Sequence, residues 1–163
     1  MLSTSEFRKA LGHFPTGVTV VTVARSDGQP HGMTANSFAS VSLEPLQILV
    51  CVDRLAVTHK LLHEVRAFGI NILAEDHEAI ARYFARTDQD PQAAKQIGIK
   101  FESSQRGTPL LGDTLAQLDC NLVSAIESGD HSIFIGQVVE MRLREGRPLL
   151  FHGGQFKKFG PLA

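Results

Sequence analysis

Gly32-Met33-Thr34-Ala35-Asn36-Ser37-Phe38-Ala39-Ser40-Val41-Ser42 decides the reading of this chain. The segment follows a β-branched strand and a turn, so it is expected to run extended, yet almost every side chain in it is small. Core strands normally carry Val, Ile and aromatics, which fill a pleated, half-buried surface. A strand of Thr, Ala, Asn and Ser instead leaves an open shelf with exposed backbone groups. Such a shelf suits a flat, polar-edged ligand lying close to the main chain. Taken alone, the segment reads equally well as a polar edge strand with no ligand.

Upstream, residues 17–24 are a β-branched strand and Ser26-Asp27-Gly28-Gln29-Pro30 is a turn, so the shelf is expected to pair antiparallel with its predecessor. Before them, Ser3 and Glu6 have capping-box spacing, Phe7, Ala10 and Leu11 form an apolar stripe, and Gly12 with Pro15 ends the helix. Downstream, Glu44-Pro45 breaks the chain ahead of a buried strand at 48–52. A helical pattern at 56–65, a strand at 68–73 and a second amphipathic helix at 78–86 follow. Residues 87–112 are rich in polar residues, Gly and Pro and are expected to be irregular, with a short helix at 91–96. Two long strands, 115–126 and 132–143, are joined by a turn at 127–131, and 148–151 reads as a closing strand. Mostly antiparallel connections among six or seven strands predict a mainly β fold, a barrel with helical insertions, in one domain over residues 1–163.

Sixteen Lys and Arg nearly balance seventeen Asp and Glu, and the charges are dispersed, so neither a nucleic-acid surface nor a membrane surface is indicated. The start of the chain lacks the basic and apolar regions of a signal peptide, and no long apolar run suggests a membrane span. Cys51 and Cys120 sit in apolar strand-like runs and read as buried free thiols. A cytoplasmic protein is expected.

Thr34, Asn36, Ser37 and Ser40 offer short hydroxyls and an amide that satisfy a ligand's polar edge without crowding its faces. Gly129-Asp130-His131 is an ordinary hairpin turn by itself; beside the shelf, His131 becomes a ring able to bracket or hydrogen-bond a second ligand. Arg54, Lys60, Arg82 and Arg86 are candidate phosphate cations; Lys60 lies early in a helix after Thr58, yet by itself reads better as a solvated surface lysine, and Arg82 has the same ambiguity. His59 and His63 have the i,i+4 spacing of a metal pair but no third ligand nearby, and read as surface histidines. A G-x-G-x-x-G fingerprint, a Walker loop and a G-x-S-x-G elbow are all missing, which argues against a Rossmann domain, a P-loop enzyme and a typical esterase.

Phe14-Pro15-Thr16-Gly17-Val18, Thr34-Ala35-Asn36-Ser37-Phe38, Ser40-Val41-Ser42, Gly129-Asp130-His131 with Ile135-Gly136, Leu149-Leu150-Phe151 and Gly154-Gln155-Phe156 occur in that order. The combination, spread over residues 7–156, resembles the flavin reductase-like family, the short-chain reductase components of two-component flavin monooxygenases. The resemblance implies an FMN-binding split β-barrel, antiparallel and Greek-key, with a few flanking helices. It implies a homodimer with flavin near the subunit interface, which uses NADH or NADPH to reduce FMN or FAD and releases reduced flavin to a separate oxygenase. Carried over by motif, Thr34, Ala35, Asn36, Ser37 and Ser40 line the isoalloxazine, and Cys51, Val52 and Asp53 lie along the flavin. Thr58 and Lys60 approach its phosphate end, Arg82 joins them, and His131 stands where the nicotinamide enters, with Phe156 close by. Leu55-Ala56-Val57 replaces a stretch often serine-rich in the family, Phe156 stands where tyrosine is common, and 92–106 shows little of the pattern.

In the family's reaction hydride passes from nicotinamide C4 to flavin N5, so both reacting centres belong to the bound molecules. The protein's task is to hold the rings about 3–3.5 Å apart, exclude water and present N–H donors. No triad or carboxylate pair is required. Two other readings of the same barrel are a non-enzymatic flavin carrier or sensor, and a split-barrel oxidase akin to the pyridoxamine-phosphate oxidases. His131 and an open site above the ring favour the reductase.

Overall fold

In a computed structural model, described over residues 2–160, the chain begins with α1 (Thr4–Gly12), β1 (Thr16–Gly17) and β2 (Thr19–Ala24). Then come β3 (Pro30–Ala35), β4 (Phe38–Leu43), β5 (Leu46–Asp53), α2 (Val57–Val65), β6 (Ala67–Ile72), α3 (Glu78–Phe84) and α4 (Pro91–Gln96). The last third supplies β7 (Phe101–Ser103), β8 (Pro109–Leu111), β9 (Ala116–Ser128), β10 (His131–Leu143), β11 (Leu150–His152) and β12 (Gln155–Lys157). Seven strands form one antiparallel sheet in the order β3-β2-β6-β9-β10-β5-β4.

The decisive segment is therefore two strands, β3 and β4, broken at Asn36-Ser37, and they occupy opposite edges of the sheet. Only the first half pairs with β2, with Ala35 opposite Thr19, while β4 pairs with β5, with Phe38 opposite Val50. Laid flat, seven strands would separate these edges by about 29 Å. The backbone from Ala35 to Phe38 reaches at most about 11 Å. The sheet must curl until its edges nearly meet, which makes a barrel with a split between β3 and β4. Bulges in the β9–β10 pairing, with Val123 the extra residue on β9 and Val139 the extra residue on β10, assist the curl. At Gly136 a Cβ would lie 2.5 Å from Phe68, so the bend is packed without a side chain.

Two cores follow. Val21, Val23, Val50, Val52, Phe68, Ile70 and Phe134 fill the barrel, closed by Leu61 and Leu62 of α2. On the outer side of β2, Val18, Val20, Leu73, Ala81, Phe84, Leu111 and Leu149 form the second. Burial on both faces explains why β2 reads as an unbroken β-branched run rather than an alternating one. The buried Asn71 amide donates to Val20 O and Thr22 Oγ1 and accepts from Leu111 N, and Thr22 Oγ1 donates to Pro109 O, which fastens β8 to the sheet.

The capping box at Ser3 and Glu6 is present and α4 lies at its expected position. Residues 87–112 are more ordered than expected, since β7 and β8 pair as a hairpin. The closing strand is likewise a hairpin, β11 with β12, and β1 pairs with β11.

Candidate functional site

On β5 and β10, His131 pairs with Asp53 and Ile133 with Cys51. Directly opposed residues share a face, so His131, Asp53 and Cys51 look outward together, away from the barrel interior. Ser37 holds the chain corner to this surface: its Oγ donates to Cys51 O at 2.8 Å and accepts from Cys51 N at 3.2 Å. Its hydroxyl is thus a structural staple, while the Asn36 amide and Ser40 hydroxyl have no hydrogen-bond partner among the described residues. Both are exposed.

His131 is half exposed, and its Nδ1 lies 2.8 Å from Asp130 Oδ1. That hydrogen bond, with the Coulombic effect of the same ring, holds the Asp130 carboxyl below its ordinary value. Arg54 N donates to Asp130 O, tying the hairpin tip to the turn between β5 and α2. Asp53 organises that turn, with Oδ1 accepting from Leu55 N at 2.8 Å and O accepting from Ala56 N at 3.0 Å. Burial pushes the Cys51 thiol up.

Other expected site residues are placed differently. The Val52 and Ala35 side chains point into the barrel core, and Ala35 O accepts from Thr19 Oγ1, so a ligand meets these residues only through backbone. Thr34 Oγ1 donates to Ala81 O at 2.6 Å, docking α3 on β3. Lys60 is exposed and pairs with Glu64 at 3.6 Å. Arg82 is held by Glu78 and lies 5.0 Å from the centroid of the Phe156 ring, and Phe156 in turn packs on Phe151. Arg82 and Phe156 thus meet over the outer core.

Thr58 belongs to a third place, a cleft of about 300 Å³ between β3, the start of α2 and the segment after α3. Arg25, His31, Arg86 and Gln89 line it, and none of them stood out from the sequence for this place except Arg86 as a candidate cation. These positions converge only through the sheet topology, so no spacing announces them. Gln89 Nε2 caps the Gly32 carbonyl at 2.8 Å on the free edge of β3. The N-cap position of helix α2 is Ala56, which has no side chain able to cap it. The N–H groups of Val57 and Thr58 consequently have no hydrogen-bond partner among the described residues. Uncapped N–H groups, a threonine hydroxyl and two guanidinium groups form a donor set suited to a phosphate. The small-residue corner with Asn36 and Cys51 suits a flat ring, so the residues present fit a flavin phosphate and its ring system.

His63 is exposed as expected, but His59 is half buried, with Nε2 2.9 Å from Ser132 Oγ and its ring 5.2 Å from that of Phe134. Among the described residues no group of three metal-ligating side chains is found. Both cysteines are free, Cys120 fully buried and Cys51 half buried.

A curled antiparallel sheet split at a corner of small residues is the fold of the split-barrel flavoproteins. The chain belongs to the flavin reductase-like family, whose domain, described as "Flavin reductase like domain", matches residues 11–160. The NADH-dependent FAD reductase of Streptomyces globisporus is 41% identical over 160 residues, covering 96% of this chain and 86% of that protein. The reductase component of a 4-nitrophenol 4-monooxygenase/4-nitrocatechol 2-monooxygenase from Rhodococcus opacus is 39% identical, covering 98% and 83%. Among solved structures, the flavin reductase PheA2 superposes with a TM-score of 0.89 at 36% identity, covering 98% of this chain and 99% of that one. The S. globisporus NADH:FAD oxidoreductase SgcE6, in complex with NAD and FAD fragments, gives 0.86 at 39% identity, covering 96% and 93%.

Proposed function

We propose that the protein is an NADH-dependent flavin reductase, moving hydride from reduced nicotinamide to FMN or FAD and supplying reduced flavin to a separate monooxygenase component. The observation that carries this reading is the shared outward face of Cys51, Asp53 and His131 next to the small-residue corner at Asn36. A bound flavin supplies the hydride-accepting centre. The chain's contribution is position: the corner backbone and Asn36 hold the ring's polar edge, Ser40 and Cys51 border it, and the Thr58 cleft takes the phosphate. His131, at the rim and steadied by Asp130, orders the nicotinamide over the ring. The phosphate role is given to Thr58 because it lines the cleft, with Arg25 and the Asp88-held Arg86 adding positive charge to the same walls, whereas Lys60 and Arg82 do not line it.

A homodimer belongs to the same proposal. Helix α1 has no buried residue, and Phe7, Leu11 and Phe14 are exposed beyond half. On the outward face near His131, Ile126 is half exposed, flanked across the strands by Ile133 and Cys51. Large apolar side chains exposed in this way are what a second copy of the chain would cover. A cytoplasmic location is supported by the two free thiols, and no helix among the described residues is long and apolar enough to cross a membrane.

The test is NADH oxidation by purified protein with FMN, FAD or no flavin. Turnover that rises with added flavin supports the reductase. Flavin binding without NADH oxidation would move the protein to the carrier reading.

A further inference from the structure

Arg25 Nη2 lies 3.1 Å from His31 Nδ1, and His31 Nε2 lies 2.8 Å from Thr58 Oγ1. His31 and Thr58 are both more than nine-tenths buried. A guanidinium can only donate, so Nδ1 must be the acceptor and the imidazole proton must sit on Nε2. Nε2–H then donates to Thr58 Oγ1, and the Thr58 hydroxyl keeps its own proton. That proton makes no hydrogen bond to a carbonyl, carboxylate or other acceptor among the described residues. Thr58 forms part of the cleft wall, beside the uncapped N–H groups of α2, so the proton is free for an acceptor bound in the cleft. Burial, with the neighbouring Arg25 charge, lowers His31 to about 4, which agrees with a neutral ring at physiological pH.

We infer that Arg25 and His31 are positioning residues that fix the Thr58 hydroxyl as a donor to the flavin's ribityl phosphate, and so make the site prefer phosphorylated flavin over riboflavin. The inference rests on the flavin-site reading above. It assigns the selectivity to a three-residue relay whose members lie on β3, on α2 and just beyond β2, not to a surface lysine. Arg86 on the same wall is engaged by Asp88 through bonds of 2.9 and 2.6 Å, so it adds charge to the cleft without orienting the hydroxyl.

The experiment is a fluorescence titration of the purified full chain with FMN and, separately, riboflavin. It compares wild type, Thr58→Val, His31→Leu, His31→Gln and the double variant His31→Leu/Thr58→Val. The wild type is expected to favour FMN. Thr58→Val and His31→Leu should each lose about tenfold in FMN affinity, the scale of one hydrogen bond to a charged group. Riboflavin affinity should not move, which also reports that the variants are folded. His31→Gln, whose amide can still donate toward Thr58 and accept from Arg25, should keep most of the FMN affinity. The double variant should be no worse than Thr58→Val, because the two residues act through one proton. Equal losses for FMN and riboflavin, additive losses in the double variant, or no preference in the wild type would overturn the relay while leaving a flavin site standing. Binding of neither flavin by the wild type would overturn both.

Discussion

In the proposed reaction His131 is the residue assigned to the nicotinamide, since it stands on the outward face opposite Asp53 with one nitrogen already occupied by Asp130. His131→Ala is expected to lower kcat/KM for NADH about tenfold, within the range of a lost positioning contact, while flavin affinity measured by fluorescence stays within about twofold. An equal loss in both would place the ring on the flavin instead. The thiols give an independent check on burial. Burial first, then Asp119, raises Cys120 to about 12, partly offset by Arg106. Thiolate is the reactive form, so native protein at neutral pH should leave Cys120 unlabelled by an alkylating reagent, with labelling appearing only on unfolding, as read by peptide mass spectrometry. At this scale the sequence told much about the corner and little about the cleft. The small residues at 34–37 were visible because their composition is wrong for a core strand. Ser37 as a staple, Thr34 as a helix dock and His31 as a buried relay depend on which atoms lie opposite, which composition does not carry.

Among the elements, residues 99–112 are anchored by Asn71 and Thr22 and, through Arg106, by one buried carboxylate. Asp119 on β9 is fully buried and receives Arg106 Nε at 3.1 Å and Nη2 at 3.0 Å. Burial raises its pKa, but hydrogen bonds from Arg106, Ser104 and Thr108 outweigh that and hold it below its ordinary value. Removing Arg106 strands the charge; since the guanidinium is partly exposed, Arg106→Met is expected to cost about 2–3 kcal/mol in urea unfolding. The sign in pH follows. A folded pKa below the unfolded one adds stability above the unfolded carboxylate range, and that stability disappears as pH falls through the folded value. The difference in stability between wild type and Arg106→Met should therefore shrink in acid. A difference that grows in acid would contradict the assignment. Strands and helices with strong periodicity, such as β2, α2, β9 and β10, were legible to within a few residues. The β7–β8 hairpin was not, because its three-residue strands are too short to show a period and are held by Asn71 and Asp119 from elsewhere. The break at Asn36-Ser37 was also invisible locally, since either side reads as extended.

For the whole molecule, the exposed apolar surface of α1 and of the outward sheet face is covered in the proposed dimer. Ile126→Asp is expected to shift the protein to monomers in sedimentation equilibrium and to weaken flavin binding, because the proposed flavin site lies on that face. Monomers with undiminished flavin binding would show that the site is complete within one chain. The fold itself follows from two facts together: consecutive strands at opposite sheet edges, and a linker too short for a flat sheet. The measurement that tests the central claim most directly is an anaerobic titration of a small amount of protein and an excess of FAD with NADH, following both chromophores. The account predicts that NADH oxidised equals the total flavin added, far beyond the amount of protein, with the flavin absorbance bleached to completion. Reduction that stops at the amount of protein, or none at all, would contradict a reductase that releases its product.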